Sequence, residues 1–495
     1  MRALIVRNIA ASILLALGGW EFLVAPTGLK AQPDTTRLGQ TLHTLCVTQH
    51  VPGASAALIL ADESLWTGTC GIAAQDSTPV RPDHVFEIGS ITKTYTAALI
   101  LDLVSDGSIG LDDPVAPLLP EIPHLDGVTL RNLLQQTSGL FDFTDHPSYL
   151  PALRSDFGRT WNAPELLERF GGPPVSAPGE RWDYSNTNYH VLGLIAEKVT
   201  GQDVDHALHE RVLDPPGLRH TFFAAADSVT ASAAHAFLDI NGDGQPEDLT
   251  ALVSNTSFLT AAWTSGAIMA TAADAARWLR SFAKGEFLKG SLYGELTSWR
   301  ERGDGMEYGL GLIRDPRGAM DLVGHEGNSA GFSASAWHAM DEDVTVVVLT
   351  NKHAANVTPI AVTLLETVLG GVTAELHLAV AEGGGAGVVD AYRRLKQQYP
   401  PDHFYENLLN ALGYELLNAG RVSDAVAVLE LNVTEYPDSA NPYDSLGDAY
   451  TAAGRLLEAR DNYARAVELA EAGDHPNLPV YRTNLEQARK ALSGQ

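Results

Sequence analysis

Leu412-Gly413 and Leu446-Gly447 stand 34 residues apart. The same interval separates Gly420-Arg421 from Gly454-Arg455, and Ala425 from Ala459. Leu409 and Tyr443, and Leu416 and Tyr450, keep it at apolar positions. A fixed period of this length, with small residues at fixed slots, commits residues 387–495 to paired helices that stack. One pair cannot bury its apolar face alone, so each needs the next.

Slot by slot, Leu409/Tyr443, Leu412/Leu446, Gly413/Gly447, Leu416/Tyr450, Ala425/Ala459 and Pro437 resemble the tetratricopeptide repeat. That resemblance implies a protein partner held on a concave surface. Residues 388–399, closed by Pro400, read as half of an earlier repeat, and residues 478–492 as a capping helix. So short an array is near the lower limit for standing alone, and docking on the rest of the chain is the alternative. Residues 371–386, with Gly383-Gly384-Gly385, read as a linker.

At the other end, Arg2 and Arg7 precede a short apolar run from Ile9 to Trp20, and Ala31 offers a small-residue cleavage site. Residues 1–31 therefore read as a secretory signal, with an uncleaved anchor as the rival. The run is shorter than the roughly 20 apolar residues of a spanning helix, so no membrane span is expected after cleavage. Periplasmic or extracellular location follows. In that setting Cys46 and Cys70, in a predicted helix and a predicted strand, have the choice of a bridge. Two separately buried thiols is the plainer reading. A formal charge of −28 excludes a nucleic-acid partner, which needs a basic face.

Residues 51–369 alternate short strands with amphipathic helices. Residues 54–60 and 65–72 read as a strand pair around Ala61-Asp62-Glu63. Residues 334–338 and 344–350 read as another, near the far end. One mixed, mainly antiparallel sheet built from both ends of residues 32–370, flanked by helices and a helical subdomain, is the expected fold. An all-α repeat domain follows it.

Three motifs in this segment carry chemistry. The first is Ser90-Ile91-Thr92-Lys93. Ser and Lys at i, i+3 share a helix face, and a desolvated Lys can act as the base that a Ser hydroxyl needs. A second Ser-x-x-Lys, Ser281 to Lys284, ends a predicted helix at Gly285 and reads as surface. The second motif is Tyr184-Ser185-Asn186, in a loop led by Pro178-Gly179. Tyr184 can shuttle a proton if cations lower its pKa. Asn186 can offer a donor and an acceptor to a substrate amide. Tyr405-Glu406-Asn407, inside the repeat region, is the decoy. The third is His325-Glu326-Gly327, where Gly327 would let substrate backbone pass close. It is no metalloprotease signature, because Ser329 stands where a second His is needed.

The ordered triple resembles the serine β-lactamase-like superfamily, in the branch of class C β-lactamases, D,D-peptidases and esterases. Leu111-Asp112-Asp113-Pro114, Thr137-Ser138-Gly139-Leu140, Ser265-Gly266 and Tyr308-Gly309-Leu310-Gly311 match as well. The resemblance implies Ser90 as the acylated nucleophile, Lys93 as its base and Tyr184 as proton relay. It implies Asn186 holding the acyl amide, His325 lining the site, and the backbone N–H groups of Ser90 and Asn328 as the oxyanion hole. Many relatives open the third motif with Lys, a permanent cation suited to a substrate carboxylate. Neutral His325, followed by Glu326, weakens the case for a dedicated β-lactamase and suits an esterase, amidase or peptidase.

Asp239, Asn241 and Asp243 alternate before Gly244 as in the start of a calcium loop, with Glu247 or Asp248 to complete it. A solvated turn is the other reading; no other cofactor is expected. The expected function is an exported serine hydrolase acting through an acyl-enzyme on a small-molecule or peptide substrate. The rival is an inactive member that binds ligand while its repeats bind protein.

Overall fold

The computed structural model describes residues 35–239, 246–288, 290, 292–316, 320–473 and 475–493. The signal reading of residues 1–31 lies outside these.

Both ends of the expected hydrolase segment build one sheet. Its strands are β1 (Gly53–Ile59), β2 (Leu65–Gly71), β3 (Arg300–Glu301), β4 (Glu307–Tyr308), β5 (Ile313–Asp315), β6 (Leu322–Ser329), β7 (Phe332–Ala339) and β8 (Val344–Thr350). They lie in the order β2-β1-β8-β7-β6-β5-β4-β3, all pairs antiparallel. The central strands read as unbroken apolar runs because helices cover both faces. Ala57, Ile59, Val347 and Leu349 face one core. Ala54, Ala56, Leu58, Val346 and Val348 face another. Alternation along each strand divides the two sets.

The helices that place the site are α1 (Thr35–Thr48), α2 (Thr92–Ser105), α3 (Asn186–Thr200), α4 (Thr256–Gly266) and α5 (Ala272–Lys284). Helix α2 is apolar nearly all round, with Ala97 through Leu101 buried. It runs through the first core, wrapped by the other helices of the subdomain. Helix α1 covers the opposite face of the sheet beside α6 (Thr358–Leu369).

Cys46 on α1 and Cys70 on β2 form a disulfide rather than two separate thiols. The sequence left this open because helix and strand reveal no distance between them.

Residues 371–386 are not an extended linker. Helix α7 (Val372–Leu395) runs through them and breaks only at Gly384, where φ is +61°. Its first half buries Val372, Leu376 and Val380, so apolar burial keeps it helical on both sides of the glycine run. The helix pairs come next: α8 (Glu406–Asn418) with α9 (Val422–Glu435), and α10 (Ala440–Ala452) with α11 (Leu456–Ala472), then α12 (Leu478–Ser493). The 34-residue period has a steric reason. A Cβ on Gly413 would lie 2.5 Å from the Leu429 side chain, and one on Gly447 2.5 Å from Tyr463. The slot is glycine because the partner helix occupies the space. Arg37 on α1 pairs with Glu375 on α7, and His50 meets the Asn418 carbonyl. The repeats therefore dock on the α1 side of the sheet. Among the described residues no single helix is long and apolar enough to cross a membrane.

The bridge closes a loop of sequence separation 24, so a chain-entropy account gives about 3 kcal/mol of stabilisation. Cys46→Ser with Cys70→Ser should lower the urea unfolding free energy by that order. Two titratable thiols in the folded, unreduced protein would show that the bridge does not form.

Candidate active site

The nucleophile turn is shaped by two glycines. Strand Phe86–Glu87 pairs with Ile268–Ala270, and the chain then turns at Gly89, where φ is +51°. A Cβ there would sit 2.7 Å from the Asn328 backbone nitrogen. Ser90 comes next in a single 3-10 turn, Gly89–Ile91, at the start of α2. From the other side, a Cβ on Gly327 would lie 1.9 Å from the Ile88 carbonyl oxygen. Gly327 thus admits the turn at residues 88–90 on the side where a Cβ would stand. Strand β5 pairs with β6 only as far as Gly324. Beyond it, among the described residues, the Ser90 turn takes the place of a next strand.

Lys93 is fully buried. Its Nζ lies 3.0 Å from Ser90 Oγ, 2.8 Å from Asn186 Oδ1 and 2.9 Å from the Ser265 carbonyl oxygen. Two of these oxygens can only accept. A neutral amine has two N–H groups for them, and its lone pair is left facing the Ser90 hydroxyl. Burial draws the Lys93 pKa down to about 7, with the Asp142 carboxylate opposing part of the shift.

Asn186 is held on both sides by the protein. Its oxygen serves Lys93, while its backbone N–H and side-chain NH2 donate to Asp142 Oδ2 at 3.0 and 2.9 Å. The amide is a spacer between a carboxylate and an amine. Asp142 and the Ser265 carbonyl were missed in the sequence. Ser265 stood only in a matching phrase, and a backbone carbonyl has no side-chain signature. Asp142 lies in a loop whose path the sequence did not disclose.

Tyr184 sits beside the pair, its ring centroid 4.9 Å from Lys93 Nζ. Burial, followed by the neighbouring Tyr308, raises its pKa well above the phenol range; the hydrogen-bonded Ser90 hydroxyl opposes this only in part. The condition under which cations lower its pKa is not met here, and the resting side chain is a neutral phenol. His325 lies next to it, ring centroids 6.5 Å apart. Its Nδ1 is 2.6 Å from the Glu326 carbonyl, which can only accept, so Nδ1 carries the proton. Nε2 then accepts from Tyr308 Oη at 3.2 Å. Burial, helped by Lys93, lowers the His325 pKa to about 3, so the imidazole is neutral. Tyr308 is the third residue that the sequence left without a role.

Glu326 points to the far face of β6, where Thr358 donates to its carboxylate. Strand alternation removes it from the His325 side, so it does not repel substrate there. The Asn328 side chain accepts from Ser333 Oγ at 2.8 Å. The two decoys lie elsewhere: Lys284 pairs with Asp343, and Tyr405 is exposed. Asn241 and Asp243 of the calcium reading lie outside the described residues. Asp248 is already engaged, accepting from Ala251 N and meeting His235 Nδ1 at 2.8 Å.

A sheet of this order, with a Ser and a buried Lys one turn apart at the start of its central helix, defines a serine hydrolase class. The Beta-lactamase family profile matches residues 31–366, and the chain belongs to that family. The profile ends before α7 and the repeats. Penicillin-binding protein 4 of Amycolatopsis lactamdurans is 29% identical over 330 residues, covering 61% of this chain and 81% of that protein. Esterase EstB of Burkholderia gladioli is 35% identical over 208 residues, 39% of this chain and 51% of the esterase; the match thus spans about half of EstB. Among solved structures, a D-stereospecific amidohydrolase from Streptomyces sp. superposes with a TM-score of 0.60 at 28% identity, covering 68% of this chain and 98% of that one.

The depressed Lys93 pKa has a stability consequence of fixed sign. Between about 7 and the unfolded value near 10.5 the unfolded chain binds the extra proton. Native stability should therefore gain on that of Lys93→Met as pH rises through this window. Urea unfolding of both proteins at pH 6.5 and 9.5 measures it; a difference constant with pH would refute the depressed value.

Proposed function

We propose that this protein is an exported serine hydrolase that forms an acyl-enzyme at Ser90 on an ester, amide or D-amino-acid peptide bond. The observation that carries this is the buried Lys93 Nζ, held by Asn186 Oδ1 and the Ser265 carbonyl at 3.0 Å from Ser90 Oγ.

The neutral amine takes the Ser90 proton as Oγ bonds to the substrate carbonyl carbon. The carbonyl oxygen becomes an oxyanion, stabilised by the backbone N–H groups of Ser90 and Asn328. Its collapse breaks the bond to the leaving group. The Tyr184 phenol gives that group a proton and regains one from the Lys93 ammonium. Water then attacks the acyl-enzyme, passing a proton back through the same groups as the acid leaves and Ser90 is restored. Asn186 acts by holding Lys93, and His325 by packing against Tyr184.

Neutral His325 in place of a permanent cation favours ester and amide substrates over a dedicated β-lactamase role. The names of the relatives, an esterase and a D-stereospecific amidohydrolase among them, support the same classes. The signal-like residues 1–31 and the Cys46–Cys70 bridge suit an oxidising compartment. The stacked helix pairs suit a protein partner.

Intact mass after incubation with a fluorophosphonate, and separately with a penicillin, tests the proposal. A fluorophosphonate adduct absent from Ser90→Ala is expected, and Lys93→Arg should slow its formation by about 100-fold or more. For turnover of p-nitrophenyl esters, kcat/KM should rise with pH through an apparent pKa near 7, the value for Lys93. No adduct on folded protein would instead favour the ligand-binding, catalytically inactive reading.

A further inference from the structure

Helix α4 is broken by its own largest residue. Trp263 has φ +38° and ψ −128°, inside an otherwise helical run. A bulky side chain at positive φ is a genuine outlier and persists only where its surroundings over-determine it.

The two residues just past the break bear on Lys93. Thr264 and Ser265 lie in the last turn of α4, where carbonyls find no amide partner further along the helix. Ile268 N donates to Thr92 Oγ1 at 3.0 Å. The Thr264 carbonyl accepts from Thr96 Oγ1 at 2.7 Å, and the Ser265 carbonyl from Lys93 Nζ at 2.9 Å. The last turn, set at its angle by the break at Trp263, thus presents two successive carbonyls to α2.

The indole is seated on α3. Its ring centroid lies 5.6 Å from that of His190. A Cβ on Gly193 would lie 2.7 Å from Trp263 Cζ3 and 2.7 Å from Thr264 Oγ1. Thr264 Oγ1 donates to the Tyr189 carbonyl at 2.8 Å. Helix α3 also begins with Asn186, the other acceptor for Lys93. The two oxygens that orient the amine thus come from two helices, and Trp263 locks those helices together.

We propose that Trp263 is a positioning residue for the Lys93 base: its positive-φ backbone aims the Ser265 carbonyl, and its indole ties that aim to the helix bearing Asn186. The inference rests on the reading of Lys93 as base. It assigns a chemical purpose to a conformation that packing alone would avoid.

Trp263→Ala and Trp263→Gly separate backbone aim from packing. Both delete the indole, but glycine adopts positive φ without penalty and alanine does not. Fluorophosphonate acylation, referred to native protein by circular dichroism, should fall roughly 10- to 100-fold in Trp263→Ala. Trp263→Gly should recover several-fold of that loss, although glycine is otherwise the more disruptive choice. Ester KM should stay within about twofold in both. Equal rates in the two variants, or a slower glycine variant, would overturn the proposal. If neither variant folds, Gly193→Ala decides, since its methyl presses on both the indole and Thr264 Oγ1, the contacts that seat the break on α3, while Trp263 remains. A several-fold slower acylation with a moved acid limb in the pH profile is expected, and a native rate and profile would overturn it. Lys93→Arg is the control: at native rate it defeats the base reading itself, whereas inactive Lys93→Arg with equal alanine and glycine variants defeats only the role of Trp263.

Discussion

A buried amine held by three oxygens organises the functional half of this molecule. Lys93 cannot be stable in an apolar core unless its N–H groups are engaged. The partners come from three places: Ser90 in the turn that leads into α2, Asn186 at the start of α3, and the Ser265 carbonyl at the end of α4. Each in turn needs support. Asn186 is held by Asp142, and Ser265 lies just past the Trp263 break. The subdomain can be read as the set of connections that bring those oxygens within 3 Å of one nitrogen.

The sheet supplies the rigid side of the cleft. The adjoining strands β7 and β8 are buried along their whole length, and Gly327 brings β6 against the nucleophile turn. The repeats are anchored elsewhere, on α1 through Arg37–Glu375 and His50–Asn418. Helix α1 is tied to β2 by the disulfide. Sheet, α1 and repeats therefore form one mechanical series behind the cleft, and β6 joins it to the Ser90 turn at Gly327.

Much of this was legible from side chains. Ser90, Lys93, Tyr184 and His325 occur in order in contexts that set them apart from Ser281–Lys284 and Tyr405, and the structure brings the four together. The strand pairs at both ends of the domain and the repeat period were legible because alternation and spacing are local. What escaped was of another kind. The Ser265 carbonyl belongs to every residue type, so no composition marks it. Trp263 is a residue whose identity argues against the conformation it adopts. Asp142 depends on a loop path. Gly327 was singled out as a place of close approach, but the Ile88–Ser90 turn that meets it was not foreseen, because the sequence does not say which segment crosses β6. The three glycines at 383–385 signalled a linker, yet tertiary burial of α7 overrode their low helix propensity.

The charge state of the cleft has one cause acting on three groups. Burial lowers Lys93 to about 7 and His325 to about 3, and it raises Tyr184. Above neutral pH each of these groups is uncharged. Acyl transfer then creates charge where there was none, an ammonium on Lys93 and an oxyanion on the substrate. In a poorly solvated site that new pair attracts strongly, and no water must reorganise around a pre-existing cation. A lysine in place of His325 would alter this balance. When protonated it would repel the forming ammonium and draw substrate carboxylates into the cleft. With His325 held neutral by burial and fixed as an acceptor for Tyr308, the base keeps its pKa near neutrality without a second cation beside it.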